Sequence, residues 1–403
     1  MGRSTVNPEK IAEAQPGLSD NDFRAEVRTW LERHVPRTPR PADPAGARAW
    51  DTDWQRTQFE GGYAGIAWPA EYGGRGLPLS HQLVWYEEYA RAGGPDVGCC
   101  FVGNNHGGPT LIARGSEAQK RDHLARILDG SEVWCQGFSE PGAGSDLAGV
   151  STYGVVDGDH LVISGQKIWT SYAHMADVQE LLIRTDRDAP RHKGLTWVIG
   201  DMRAPGVTVR PIKTMDGHEH LCEVFYDEVR VPLTDVVGTV NDGWSVAMST
   251  LGFERGTAFM QLQTELARRV DALIDLAATT PAAHGRGVAL DDEAVAGTLA
   301  ELHADVCALR AMTYAMVSRS ARAKIPGPEG SMIKVYYSEL NQRIGRATMS
   351  LVAVDGLEPA TSPAVGDLVH SYLYSYFSTI GGGTSEVQRD IIGERVLGLP
   401  RHR

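Results

Sequence analysis

Two short stretches carry the residues best suited to chemistry. The first, Gln136-Gly137-Phe138-Ser139-Glu140-Pro141-Gly142-Ala143-Gly144-Ser145-Asp146, reads as a tight loop. Pro141 fixes one φ, and Gly142 and Gly144 permit turns and close approach of backbone to a ligand. Ser139 and Ser145 set hydroxyls on either side, and Asp146 is placed to cap the next turn of the chain. The second stretch, Gly165-Gln166-Lys167-Ile168-Trp169-Thr170-Ser171, reads as a strand ending on an indole and two hydroxyls. Together they describe a site for a flat, polar, hydrogen-bonding cofactor. Either one alone also fits an ordinary turn or strand.

In this order and at this spacing, the pair resembles the acyl-CoA dehydrogenase family. There an S/T-E-P-x-A-G-S-D loop and a K-x-W-x-[ST] strand hold the flavin of FAD. Val229-Arg230-Val231-Pro232, Asn241-Asp242-Gly243-Trp244, Glu254-Arg255 and Gly382-Gly383-Thr384-Ser385-Glu386 extend the likeness, which runs from about Leu18 to Pro400. The resemblance implies FAD as cofactor. Gln136, Phe138, Ser139, Gly144, Ser145, Trp169, Thr170 and Ser171 would then line the flavin end. Thr384 and Glu386 would meet its ribityl and pyrophosphate region, and Ser145 would also touch the CoA arm of the substrate. No metal site is assigned.

The reaction implied is α,β-dehydrogenation of an acyl-CoA thioester, with a Cα proton taken by a base and a Cβ hydride passed to flavin N5. A weakly acidic Cα–H needs a carboxylate over it, donors at the thioester oxygen, and exclusion of water. In the family the carboxylate stands at one of two positions. The commoner one precedes the Gly-Thr of the last helical domain, and here it is Gly382. The other precedes an Arg in the helix after the β domain, and here it is Glu254, followed by Arg255. On a 3.6-residue period Ala247, Leu251, Glu254 and Ala258 form one mostly apolar stripe, a poor place for a solvated carboxylate. Glu254 is therefore the expected base. A structural Glu paired with a nearby Arg is the competing reading. Gly382 keeps an N–H for the thioester oxygen. Arg255 braces the floor of the substrate pocket or forms an ordinary buried ion pair, and the residues do not choose between these.

The pattern breaks in two places. The family's R-x-x-F-G, whose Arg reaches the FAD pyrophosphate of a neighbouring subunit, is absent from Gln263-Thr264-Glu265-Leu266-Ala267-Arg268-Arg269. Its Q-x-x-G-G-x-G near the adenine is absent from Leu351-Val352-Ala353-Val354-Asp355-Gly356-Leu357. The flavin half of the site is kept and the half given to a neighbour is lost. Three readings are open: an active subunit completed by a paralogous chain, as in the heteromeric enzymes that actinobacteria use on steroid side chains; a silent assembly subunit; or an offshoot flavin oxygenase or oxidase. The first leads to a heterotetramer, against the homo-oligomer otherwise expected. Electron-transferring flavoprotein is the expected acceptor.

The elements that must place these residues can be read from periodicity. Ser19 starts a helix bearing Phe23, Val27, Trp30 and Leu31 at helical spacing. Residues 36–47 hold four prolines and read as a connector, Trp68-Pro69-Ala70-Glu71-Tyr72-Gly73-Gly74 as a turn, and 80–92 and 116–128 as helices. From about 133 the period is two, with a hairpin through Asp157-Gly158-Asp159 and strands at 181–184, 195–199, 207–211 and 224–231. Helices resume near Gly243. One has Leu299, Leu302, Val306, Leu309, Met312 and Met316 on one face; another has Val335, Leu340, Ile344 and Met349. The expected fold is α+β: an N-terminal helical domain (1–132), a central small β-barrel (133–240) and a C-terminal four-helix bundle (241–403), the plan the resemblance also implies.

Composition fits this picture. Of 403 residues, 42% are hydrophobic and 22% charged, ordinary for a soluble globular protein. A net charge of −12 argues against a nucleic-acid surface. No apolar run is long enough to span a membrane. No basic-then-apolar leader opens the chain, and the five cysteines lack C-x-x-C spacing, so a cytoplasmic setting with reduced thiols is expected.

Overall fold

A computed structural model describes residues 18–253, 259–283, 285–323, 327–357 and 363–400. The chain divides into two compact units, Met1–Lys213 with Glu219–Phe253, and Thr214–His218 with Glu254–Arg403.

The first unit opens with helices α1 (Asp20–His34), α2 (Pro44–Glu60), α3 (Leu79–Arg91), α4 (Gly108–Arg114) and α5 (Glu117–Leu128). Ser19 caps α1 by accepting the Asp22 amide, and Phe23, Val27 and Leu31 are buried on one face. The expected 36–47 connector is shorter than the sequence indicated, because α2 starts inside it. Pro44 is the first helical residue, where its missing N–H costs nothing, and Asp43 caps the turn by accepting the Gly46 amide at 2.8 Å.

Seven strands follow: β1 (Trp134–Gly137), β2 (Tyr153–Asp157), β3 (His160–Ser171), β4 (Val178–Arg184), β5 (Leu195–Asp201), β6 (Val207–Ile212) and β7 (Leu221–Pro232). They form one sheet in the order β1-β4-β2-β3-β7-β6, with β5 also paired to β4. β1 runs parallel to β4, and β3 is antiparallel to both β2 and β7. The Asp157-Gly158-Asp159 turn closes the β2–β3 hairpin, with Gly158 at φ +61°.

Among the described residues, two large apolar clusters and a smaller one around Cys99, Cys100 and Val133 hold the unit together. Leu111, Leu128, Trp134, Trp197 and Val246 join helices to the sheet, and Leu161, Ile163, Leu181, Val198 and Val224 fill the other large cluster. Each such side chain, fully buried, contributes about 1.5–3 kcal/mol. Helix α6 (Gly243–Phe253) closes the unit against β5 and α4. Glycine is required at its start, because a Cβ on Gly243 would lie 2.4 Å from the Trp197 amide nitrogen. The Thr110 and Thr250 hydroxyls meet at 2.9 Å across α4 and α6.

The second unit is helical: α7 (Phe259–Thr279), α8 (Glu293–Ala323), α9 (Gly330–Val352), α10 (Pro363–Ser375) and α11 (Ser385–Ile391). α9 packs against all four others. The expected apolar faces are buried at Leu299, Leu302, Val306, Leu309, Met316, Leu340 and Ile344, with Met312, Val335 and Met349 half-buried. The architecture is thus N-terminal helices, a central β-sheet and C-terminal helices. Among the described residues no helix is long and apolar enough to cross a membrane.

Candidate active site

In the first unit the flavin-type loop is anchored by a buried ion pair. Glu140 and Lys167 side chains are 5% and 0% exposed, and Lys167 Nζ donates to Glu140 Oε1 and to the Phe138 carbonyl, each at 2.9 Å. Glu140 also accepts the Ser151 amide at 2.7 Å, the Ser151 hydroxyl at 2.8 Å and the Thr152 amide at 2.8 Å. Burial alone would raise the Glu140 pKa. Lys167 and these donors win, holding it at about 2. Burial pulls Lys167 down to about 8 against the pull of Glu140. The loop is further closed by reciprocal backbone bonds between Glu140 and Ala143 at 3.0 Å, and the Ile168 amide donates to the Ser139 carbonyl at 2.9 Å.

Gly142 and Gly144 are not at positive φ, and a Cβ on either would meet nothing within 4 Å. Their value is therefore the open space in front of the loop rather than a strained turn. Ser145 is exposed and Ser139 half-buried. Phe138 is 4% exposed and its ring belongs to the core. Asp146 does not cap the short turn after it, as the sequence suggested. Its carboxylate pairs with Arg191 instead.

At the end of β3 the ladder slips between Lys167 and Thr170. Trp169 sits in the bulge at φ +63°, an uncommon conformation for a bulky residue, and its side chain is turned outward, 55% exposed. Thr170 is turned inward, and its buried Oγ1 has no hydrogen-bond partner. Ser171 is half-buried. On β1, Gln136 donates to Glu180 Oε1 at 2.8 Å and lies 3.2 Å from His106 Nδ1. An exposed indole beside an orphan hydroxyl, next to an open glycine loop, fits the ring of FAD. The residues present therefore suit the cofactor.

In the second unit Gly382 and Gly383 adopt φ of +68° and +90°. Thr384 follows as the N-cap of α11, accepting the Val387 amide at 3.3 Å, and Gln388 Nε2 donates to the Gly382 carbonyl at 2.8 Å. Thr384, Ser385 and Glu386 line a cleft of about 530 Å³ together with Arg343, Arg346 and Arg389. Arg343 pairs with Asp305 and Arg389 with Glu339, whereas the Arg346 guanidinium has no ion-pair partner among the described residues. These arginines were missed from sequence. Arg343 and Arg346 stand three apart on α9, a spacing that could have drawn attention. Arg268 and Arg269 are engaged with Glu265 and Asn341. Ala247 and Leu251 of the apolar stripe are buried and half-buried on α6. Glu254, Arg255 and Ala258 lie outside the described residues. All five cysteines are free, and four are buried.

Family models match three consecutive parts of the chain: the N-terminal domain of acyl-CoA dehydrogenase at 19–131, the middle domain at 135–229 and the C-terminal domain at 241–397. The chain is 38% identical over 389 residues to acyl-CoA dehydrogenase IpdE1 of Mycobacterium tuberculosis, covering 94% of this chain and 98% of that one. Among solved structures it resembles the Tcur3481-Tcur3483 steroid ACAD, with TM-score 0.82, 33% identity, and 97% and 100% of the two chains covered. It also resembles the ChsE4-ChsE5 complex from Mycobacterium tuberculosis, with TM-score 0.79, 32% identity and full coverage of both chains. With all three domain models in order and these relatives matched nearly end to end, the chain belongs to the acyl-CoA dehydrogenase family of FAD-dependent oxidoreductases.

Proposed function

We propose that this chain is the catalytic subunit of a heteromeric acyl-CoA dehydrogenase that introduces a Cα–Cβ double bond into a bulky, steroid-type acyl thioester. The observation that carries this reading is the flavin end of the first unit. The Glu140–Lys167 pair, the Trp169 bulge and the orphan Thr170 hydroxyl form a built receptor that a silent assembly subunit has no need to keep. When bound, FAD supplies the acceptor for the Cβ hydride.

The chain's own residues supply the rest. Glu254 removes the Cα proton, in keeping with Gly382 standing where the alternative carboxylate would be. The Gly382 amide donates to the thioester oxygen as enolate character develops there. The Thr170 hydroxyl and the polar edge of the loop orient the ring, and Trp169 shields one side of it from water. Ser145 touches the CoA arm, and Arg255 braces the floor of the acyl pocket. Thr384 and Glu386 meet the ribityl and pyrophosphate part, with Arg346 the cation beside them. The three functional parts follow the boundaries 1–132, 133–240 and 241–403.

The partner is a paralogous subunit in a heterotetramer. Two relatives are solved as two-protein complexes, and this chain lacks both segments with which family members reach a neighbour's cofactor. The acceptor is electron-transferring flavoprotein, and the setting is cytoplasmic. The test is anaerobic mixing of the co-expressed, flavin-loaded protein with a panel of straight, branched and steroid-type acyl-CoAs. Flavin bleaching with formation of a 2-enoyl thioester, fastest for the bulky acyl groups, is expected. Failure of every acyl-CoA to bleach the flavin overturns the reading.

A further inference from the structure

The turn Thr214–His218, which belongs to the helical unit, is rigidly built. The Thr214 amide donates to the His218 carbonyl and the Gly217 amide to the Thr214 carbonyl, each at 2.9 Å, and Gly217 takes φ +87°. This fixes Asp216, whose side chain is 2% exposed. Its Oδ1 is satisfied by the Thr214 hydroxyl and by the His218 amide at 3.2 Å. Its Oδ2 is buried and accepts no hydrogen bond.

Two imidazoles face that oxygen. His370 Nδ1, from α10, lies 3.3 Å away, and His218 Nδ1 lies 3.7 Å away. His370 Nδ1 is itself buried without a hydrogen-bond partner. The two rings stand 4.2 Å apart at 60°, and one ligand atom from each of the three residues falls within 4.8 Å of the others.

We propose that Asp216, His218 and His370 form a site for a divalent transition metal of the zinc class. Two ligand atoms at about 2.1 Å from a tetrahedral metal lie about 3.4 Å apart, close to the separations found here. A cation between them satisfies both orphan atoms at once, which an Asp–His contact at 3.3 Å without hydrogen-bond geometry does not. The His₂Asp donor set selects zinc, cobalt or nickel over magnesium or calcium, which prefer oxygen alone. The Oδ1 bonds are of the kind that orient a ligating carboxylate from behind. The His218 side chain is 59% exposed, which gives the metal a way in and leaves the fourth position to water. Bound metal would clamp the turn to α10.

The test uses the untagged full chain after chelator treatment and dialysis. Zn²⁺ titrated calorimetrically should bind once per chain, and Co²⁺ should give the visible bands of a tetrahedral site. His218→Gln, at an exposed position, should weaken Zn²⁺ at least about tenfold, and His218→Gln with His370→Gln at least about a hundredfold. Cys307→Ser should leave binding unchanged, which separates this site from the His303–Cys307 pair at 3.7 Å. No stoichiometric binding, or affinity unchanged in the double variant while its melting curve matches the metal-free parent, overturns the proposal.

Discussion

Lys167 Nζ stands 2.9 Å from Glu140 Oε1 with both side chains buried, and this pair fastens the 138–146 loop to β3. Among the described residues neither charge has a second ion-pair partner. Lys167→Met should therefore destabilise the fold by about 3–5 kcal/mol and weaken FAD retention with it. Denaturant unfolding with flavin release measured in parallel checks both.

The same pair gives a pH dependence of known sign. In the unfolded chain the Glu140 carboxyl takes up a proton near 4.5, and in the folded chain only near 2. Between these values the unfolded chain binds more protons, so this contribution is full above about pH 4.5 and fades as pH falls toward 2. Acid unfolding curves of the parent should steepen across that window, and Glu140→Gln should lose part of the slope. An unchanged slope would contradict the pairing.

The sequence showed the loop and the strand, but not how they join. Lys167 was legible only as one letter of a motif, since nothing local says that its amine crosses to Glu140. Strict alternation would put Lys167 and Trp169 on one face of β3. The bulge reverses this, burying Lys167 and exposing Trp169. Helix α2 was not read at all, because the four prolines before it indicate a connector, whereas Pro44 is where a helix tolerates proline. The helical periods of α1, α8 and α9 were clear because each buries one face, whereas β4 and β5, buried on both faces, show short apolar runs instead of alternation. Asp216 and His370 lie in different parts of the sequence, and no spacing rule could have joined them. At Gly382 the backbone adds a fact the sequence lacked. At φ +68° any side chain is strained by about 1–2 kcal/mol, so moving the base there by Gly382→Glu would recover little.

Thr170→Val isolates the orphan hydroxyl. It removes an unpaired buried polar group at nearly constant volume, so the flavin-free protein should be as stable as the parent or more so. If that hydroxyl bonds the cofactor, FAD affinity should fall about tenfold. Equal affinity would place the hydroxyl outside the cofactor site.

Arg346 is the cleft's cation without an ion-pair partner among the described residues. Arg346→Ala should lower FAD affinity about tenfold in the assembled protein, consistent with loss of one charge-assisted bond. Arg268→Ala, which removes an arginine already paired with Glu265, should change it little. Fluorescence titration of released flavin measures both.

Assembly has its own readout. A pyrophosphate carries two charges, and burying it with too few cations is unfavourable. The chain alone should bind FAD poorly, and with its paralogous partner it should hold one FAD per pair of unlike chains. Size-exclusion chromatography with flavin quantitation reads the ratio. Full occupancy in a pure homo-oligomer would mean that the Arg343–Arg346–Arg389 cleft suffices by itself.

Single-turnover reduction of the flavin by its best acyl-CoA isolates the step in which Glu254 is proposed to take the Cα proton. Glu254→Gln keeps the size and hydrogen bonding of the side chain but removes the base. Flavin content and spectrum should stay as in the parent, while the reduction rate falls at least ~10²-fold. Near-normal reduction by the Gln variant would contradict the assignment.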